Sequence, residues 1–153
     1  MRLSKNFVLS EITRSNTAKR LNISNGPDKE HLRNLQILIR DVIQPMRDAL
    51  GPIRITSGYR SPQLNRAIGG SRKSQHCKGE ALDIQFWKDG VMCNEEIYNW
   101  VINNNIVFDQ MINEFDFAWI HISLRAEDSR KQVLEAYHDE EGDTKYKYAD
   151  ARK

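Results

Sequence analysis

Two short stretches of this chain carry residue types able to hold a metal ion. The first reads Ser74-Gln75-His76-Cys77-Lys78-Gly79-Glu80-Ala81-Leu82-Asp83-Ile84, and the second Trp119-Ile120-His121-Ile122-Ser123-Leu124. On a strand, successive side chains point to opposite faces. Leu82, Ile84 and Phe86 then share one face, with Ala81, Asp83 and Gln85 on the other. In the second stretch Ile120, Ile122 and Leu124 point inward, with Trp119, His121 and Ser123 opposite. If the two strands share a sheet, Asp83 and His121 sit on one polar face. His76, at the end of a polar loop just before the first strand, folds over the same place. Two imidazoles and a carboxylate around one point make a three-ligand zinc site with the fourth position open for water. Cys77 is the other candidate ligand, and a sulfur that closed the shell would make the site structural instead.

The elements needed to position these residues are also predicted. Leu32, Leu35, Ile39, Val42 and Met46 step by three and four, widened by Leu38, Ile43 and Leu50. This spacing predicts a long helix, kinked near Pro45 and stopped by Gly51-Pro52. Ahead of it, Leu9–Ile12 starts a short helix and Asn25-Gly26-Pro27 makes a turn. Ile53–Thr56 reads as a short strand and the stretch from Ser57 to Gly79 as a polar loop, a length that is often functional. Asn94 followed by Glu95-Glu96 predicts an N-cap and a helix to about Asn103. Val107–Phe115 and Trp119–Leu124 read as a hairpin joined near Asp116-Phe117-Ala118. The expected fold class is α+β, a small, mostly antiparallel sheet packed against one long N-terminal helix. Residues 1–153 would form a single domain with its core over about 7–124 and a polar C-terminal extension over 138–153.

Composition narrows the function classes. The 153 residues are 39% hydrophobic and 29% charged, as in one soluble globular domain. The net charge of +2 is too balanced to argue for nucleic acid. No apolar run approaches the ~20 residues of a membrane helix, so no membrane insertion is expected. The polar opening Met1–Asn6 lacks the apolar stretch of a signal peptide. Cys77 and Cys93 make no disulfide framework and fit synthesis in a reducing compartment.

The ordered set Ser74-x-His76-x-x-Gly79-x-Ala81-x-Asp83, then Trp119-Ile120-His121-Ile122-Ser123, resembles the M15 group of zinc D,D-peptidases. That group includes D-Ala-D-Ala carboxypeptidases and dipeptidases and phage L-alanoyl-D-glutamate endolysins, and it shares its fold with the Hedgehog signalling domain. The likeness runs on through Ser57-Gly58-Tyr59-Arg60-Ser61, Asn65 and Gly69-Gly70. Phe7-x-Leu9-Ser10-Glu11 with Thr17-Ala18-x-Arg20 is similar to a compact, phage-associated branch. The resemblance implies a Hedgehog/DD-peptidase-like fold and one Zn2+ held by His76, Asp83 and His121. It implies that Arg60, whose planar fork suits an anion, holds a substrate carboxylate or the developing oxyanion. Ser74 would contact substrate or brace the ligand loop. Zinc lowers the pKa of water toward ~7 and polarises a carbonyl. A carboxylate must then take the water's proton and pass it to the leaving amine.

The sequence departs from the family pattern at that carboxylate. Many members place a Glu three residues before the second ligand His, where this chain has Ala118. The nearest carboxylates are Glu114 and Asp116. The compact branch is similar in carrying a Glu just before the hairpin turn, which favours Glu114, with Asp116 as the alternative. Strict alternation, however, puts Glu114 on the side of Ile112 and Phe108, so a bulge or twist near the turn is expected.

The function this implies is hydrolysis of a peptide bond in the stem peptide of bacterial peptidoglycan, by a monomer. The L-Ala-D-Glu endopeptidase reading is favoured over D-Ala-D-Ala carboxypeptidase because the branch is phage-like. Synthesis in the bacterial cytoplasm would precede release to the wall through a pore or from a phage. The alternative is a non-catalytic zinc-containing binding or virion structural module on the same fold, kept open by Ala118. Blander roles are expected elsewhere. His31 and His138 read as structural, Trp119 as cleft wall, Glu80 as a solvated carboxylate, and Arg54 and Arg72-Lys73 as exposed charges.

Overall fold

A computed structural model describes residues 1–149. Two short helices, α1 (Leu9–Thr13) and α2 (Asn16–Arg20), open the chain; the first was expected and the second was not. The long helix is therefore not N-terminal. It runs over 29–50 as α3 (Lys29–Leu38), a π-helical turn Ile39–Ile43, and α4 (Gln44–Leu50). Asp28 caps it by accepting from the His31 amide at 2.8 Å. The disturbance expected at Pro45 takes the form of the π turn. Proline has no N–H and crowds the carbonyl four residues back, and the turn just before it lets the Gln44 amide reach the Ile39 carbonyl instead.

Seven strands form one sheet: β1 (Ile53–Ser57), β2 (Ala81–Lys88), β3 (Val91–Met92), β4 (Gln110–Glu114), β5 (Trp119–Ser123), β6 (Gln132–His138) and β7 (Thr144–Tyr148). Their order is β1-β2-β5-β4-β6-β7, with β3 on β2. All pairs are antiparallel except β4–β6, which is parallel. The chain expected to be a polar extension from 138 instead turns at 139–143 and returns as β7, an exposed edge strand. The stretch read as one loop, Ser57 to Gly79, contains α5 (Pro62–Ala67), capped by Ser61, and a 3-10 turn, Gln75–Lys78. Helix α6 (Asn94–Asn103) is where expected, but its N-cap is Cys93. Asn94 is buried, its Oδ1 accepting from the Phe86 amide and its Nδ2 donating to the carbonyls of Phe117 and Ala118.

One sheet face carries the core. Leu82, Ile84, Phe86, Met111, Ile120 and Ile122 meet Leu35, Leu38, Ile39, Val42 and Met46 of the long helix and Ile97, Tyr98 and Val101 of α6. Truncating any of these fully buried side chains to Ala costs about 2–5 kcal/mol. The other face is left for chemistry. Among the described residues, no helix is long and apolar enough to cross a membrane.

Candidate metal centre and cleft

Asp83 on β2 lies directly opposite His121 on β5. Both point away from the helices, and His121 Nδ1 is 2.9 Å from Asp83 Oδ1. His76 arrives on the 3-10 turn. Ser74 caps that turn by accepting from the His76 amide at 3.2 Å, and Gly79 ends it at φ +72°. A side chain at Gly79 would strike the His31 carbonyl, so the turn packs on α3 only because glycine stands there. The Gly58 carbonyl is 2.8 Å from His76 Nδ1 and accepts its proton. That fixes the tautomer and leaves Nε2 toward Asp83 Oδ1, at 3.3 Å.

The candidate ligand atoms of His76, Asp83 and His121 all lie within 4.8 Å of one another. Two imidazole nitrogens and a carboxylate oxygen, with one imidazole braced through its other nitrogen, fit a zinc ion. Burial pushes the Asp83 carboxyl up, but hydrogen bonds from His121 and His76, and their charge, hold it well below the usual carboxylate range. A carboxyl that stays ionised is ready to ligate. Cys77 does not join the group. Burial pushes its thiol up despite the opposing charge of Arg60, so it keeps its proton.

The three converge in a cleft of about 1230 Å³ that Glu114 and Arg60 also line. Glu114 pairs across from Trp119, and Ile112 across from His121, so both face the cleft. No bulge is needed, because the register is continuous and the core residue of β4 is Met111. Ile112 misled the parity argument because it is buried on the cleft face, only 7% exposed. Burial pushes the Glu114 carboxyl up to about 7; the charge of Asp83 adds to this and that of His121 opposes it. Asp116 sits exposed at the turn tip, outside the cleft lining.

That turn is strained. Phe115, Asp116 and Phe117 are all left-handed, at φ 52°, 56° and 62°, a conformation that costs non-glycine residues about 1–3 kcal/mol each. It is held by the Phe117 amide on Asn113 Oδ1 at 2.6 Å, the Ala118 amide on the Glu114 carbonyl at 2.9 Å, and Asn94. Ala118 contributes backbone only, its carbonyl accepting from Gln85 and Asn94.

Arg60 is bracketed by other residues of its motif. Its amide donates to the His76 carbonyl at 3.2 Å and its Nη1 to Asn65 Oδ1 at 3.1 Å. Asn65 in turn donates to the Ser71 carbonyl, and a side chain at Gly70 would collide with its Oδ1. Arg60 Nε is buried without a hydrogen-bond partner.

Sequence reasoning missed two supports. Asp109 is fully buried and receives Arg130 through Nε at 2.9 Å and Nη2 at 2.8 Å. It also accepts from Gln75, the neighbour of His76, at 3.0 Å. Nothing local marks this ion pair, since its partners are 21 and 34 residues away. The second is the wall from β6 and β7, where Leu134, Thr144 and Tyr146 line the cleft. The run Val133-Leu134-Glu135-Ala136-Tyr137 carried strand character that the polar surroundings masked.

The residues expected to be structural have partners of that kind. His31 Nδ1 is 3.0 Å from the Tyr59 hydroxyl, and His138 stacks on Phe115 at 4.2 Å between centroids. Trp119 lines the cleft. Glu80 is half-buried there and accepts from Gln75. Arg54 is exposed over the Trp87 ring, and of Arg72-Lys73 the lysine lines the cleft.

No curated protein matches the chain. A family model described as Peptidase M15 matches residues 5–123, a span that includes His76, Asp83, His121, Arg60, Ser74 and Glu114. With most of the chain matched and the three donors gathered in one cleft, the chain belongs to the peptidase M15 family and is a metallopeptidase.

Proposed function

We propose that the protein is a zinc peptidase that hydrolyses a peptide bond in the stem peptide of bacterial peptidoglycan. The observation that carries this reading is Glu114, a buried carboxyl lining the same cleft face as the three metal donors. His76 through Nε2, His121 through Nδ1 and Asp83 through its carboxylate would hold the ion. When bound, zinc supplies Lewis acidity toward water and the scissile carbonyl. Glu114 takes a proton as the water oxygen bonds to the carbonyl carbon. It returns that proton to the nitrogen as the C–N bond breaks, so one carboxyl serves first as base and then as acid. Arg60 holds a substrate carboxylate or the oxyanion, its guanidinium lining the cleft and steadied by Asn65 Oδ1 on Nη1. Ser74 braces the ligand loop by capping it.

Among peptidoglycan bonds the reading favours L-Ala–D-Glu, with D-Ala–D-Ala as the alternative, and release to the wall by a phage or a pore. The test is digestion of purified peptidoglycan by wild type and Glu114→Gln, with zinc content measured on both and products identified by mass. New amino termini from wild type, lost in a variant that keeps its zinc, are expected, and the new terminus names the bond. Intact zinc with no product from wild type would overturn the catalytic reading in favour of a binding module.

A further inference from the structure

We propose that the end of the cleft formed by Phe115, Trp119 and Tyr146 is a subsite for an N-acetylated amino sugar, the glycan unit that carries the stem peptide. This rests on the peptidoglycan reading above and adds a direction for the substrate. The sheet register supplies the geometry. Trp119, Glu114, Ala136 and Tyr146 stand in one row across β5, β4, β6 and β7. Ala136 is small and buried, so Trp119, Glu114 and Tyr146 are the side chains that line the cleft along this row. Phe115, stacked on His138 and 5.5 Å from the Trp119 ring, closes its far side. Burial raises the Tyr146 hydroxyl pKa and the charges of Glu114 and Asp83 raise it further, which places the ring within their field.

Charge sorts the two ends. The cations lining the cleft are Arg60, Lys73, Lys78, Arg125 and Arg130. All come from the loop before β2 or from the segment after β5, beyond the opposite ends of those strands from Trp119. They suit the carboxylates of a stem peptide. The aromatic end offers Glu114 as its only lining charge among the described residues. Tyrosine and tryptophan combine a flat apolar face with a polar tip. That chemistry matches a pyranose, whose C–H face stacks while its hydroxyl and acetamido groups hydrogen-bond; the aliphatic lining of Ile112 and Leu134 stands in the neighbouring row, beside His121. Tyr146 is 55% exposed, free to receive a ring, and lies outside the segment the family model matches. Of the three aromatic residues, Tyr146 is thus the one the β6–β7 hairpin contributes.

Two measurements test this. The first compares kcat/KM for a disaccharide-linked stem peptide and for the same peptide without sugar, in wild type, Tyr146→Ala and Tyr146→Phe. Tyr146→Ala is expected to lower the sugar-linked to sugar-free ratio roughly tenfold, with Tyr146→Phe keeping it. An unchanged ratio in Tyr146→Ala would overturn the subsite. So would equal losses in both variants on both substrates, which would mark the hydroxyl as chemical. The second measures binding of the peptide-free N-acetylglucosamine–N-acetylmuramic acid disaccharide by tryptophan fluorescence. Binding lost in Tyr146→Ala supports the subsite even if no bond is ever cut, whereas no binding by wild type overturns it.

Discussion

Glu114 is asked to be buried and to be charged, and its raised pKa is the outcome of that conflict. In the metal-free protein its folded pKa of about 7 stands above the ordinary 4.5. Its contribution to stability is therefore fully present below 4.5 and is lost as pH rises through 7. Glu114→Gln should accordingly raise the melting temperature of metal-free protein at pH 8 and change it little at pH 5, measured by calorimetry. The same substitution should lower kcat by about 10²–10⁴-fold with zinc retained. Asp83→Asn should instead lose the metal, read by elemental analysis. At this scale the sequence was most informative. Asp83 and His121 were found by alternation because strand periodicity is local, and His76 by its place at the end of the loop before β2, whereas Ile112 defeated the alternation argument because a strand covered by side chains on both faces gives no alternation of burial.

Among the elements, the 3-10 turn bearing His76 is held by contacts from far along the chain. Gln75 donates to Asp109, which Arg130 clamps where parallel β4–β6 pairing begins. Gln75→Ala should weaken zinc affinity about tenfold while leaving the fold intact, as measured by competition with a chelator. Asp109→Ala should destabilise by about 1–3 kcal/mol in chemical denaturation, since it leaves the Gln75 side-chain amide and the Arg130 backbone N–H without their acceptor while the half-exposed guanidinium turns to water. Burial raises the Asp109 carboxyl, but Arg130 outweighs it and the net shift is downward, so this contribution holds above the ordinary carboxyl pKa and fades as pH falls. Such supports were illegible in the sequence. The long helix announced itself through a repeat of three and four, and α6 through its acidic first turn, but an ion pair between distant residues has no period. β7 was hidden for a related reason, because an edge strand exposed along its whole length shows no burial alternation to read, and β6, inside the sheet, because it is half-buried through most of its length rather than alternating.

For the whole molecule, the sheet ends on β7 with an edge left open among the described residues, and Lys145 and Lys147 line it. Charged residues on an edge discourage pairing with another chain. Replacing both lysines by Val should produce concentration-dependent association in light scattering while zinc content stays constant. The π turn of the long helix has a consequence for how length changes in this chain are tolerated. It inserts the equivalent of one residue into a helical repeat, turning everything after it by about 100° relative to an uninterrupted helix. Gln44 thereby meets the N-terminal arm, accepting from the Ser4 hydroxyl at 2.6 Å and from the Asn6 amide at 3.0 Å, while Met46 stays in the core. Excising Arg40 alone would give a smoother rod whose second half presents the wrong meridian, unlatching the arm and withdrawing Met46 at one stroke. The helix thus has a defined phase as well as a length, and a single-residue indel on its exposed side is more disruptive than a substitution in its middle.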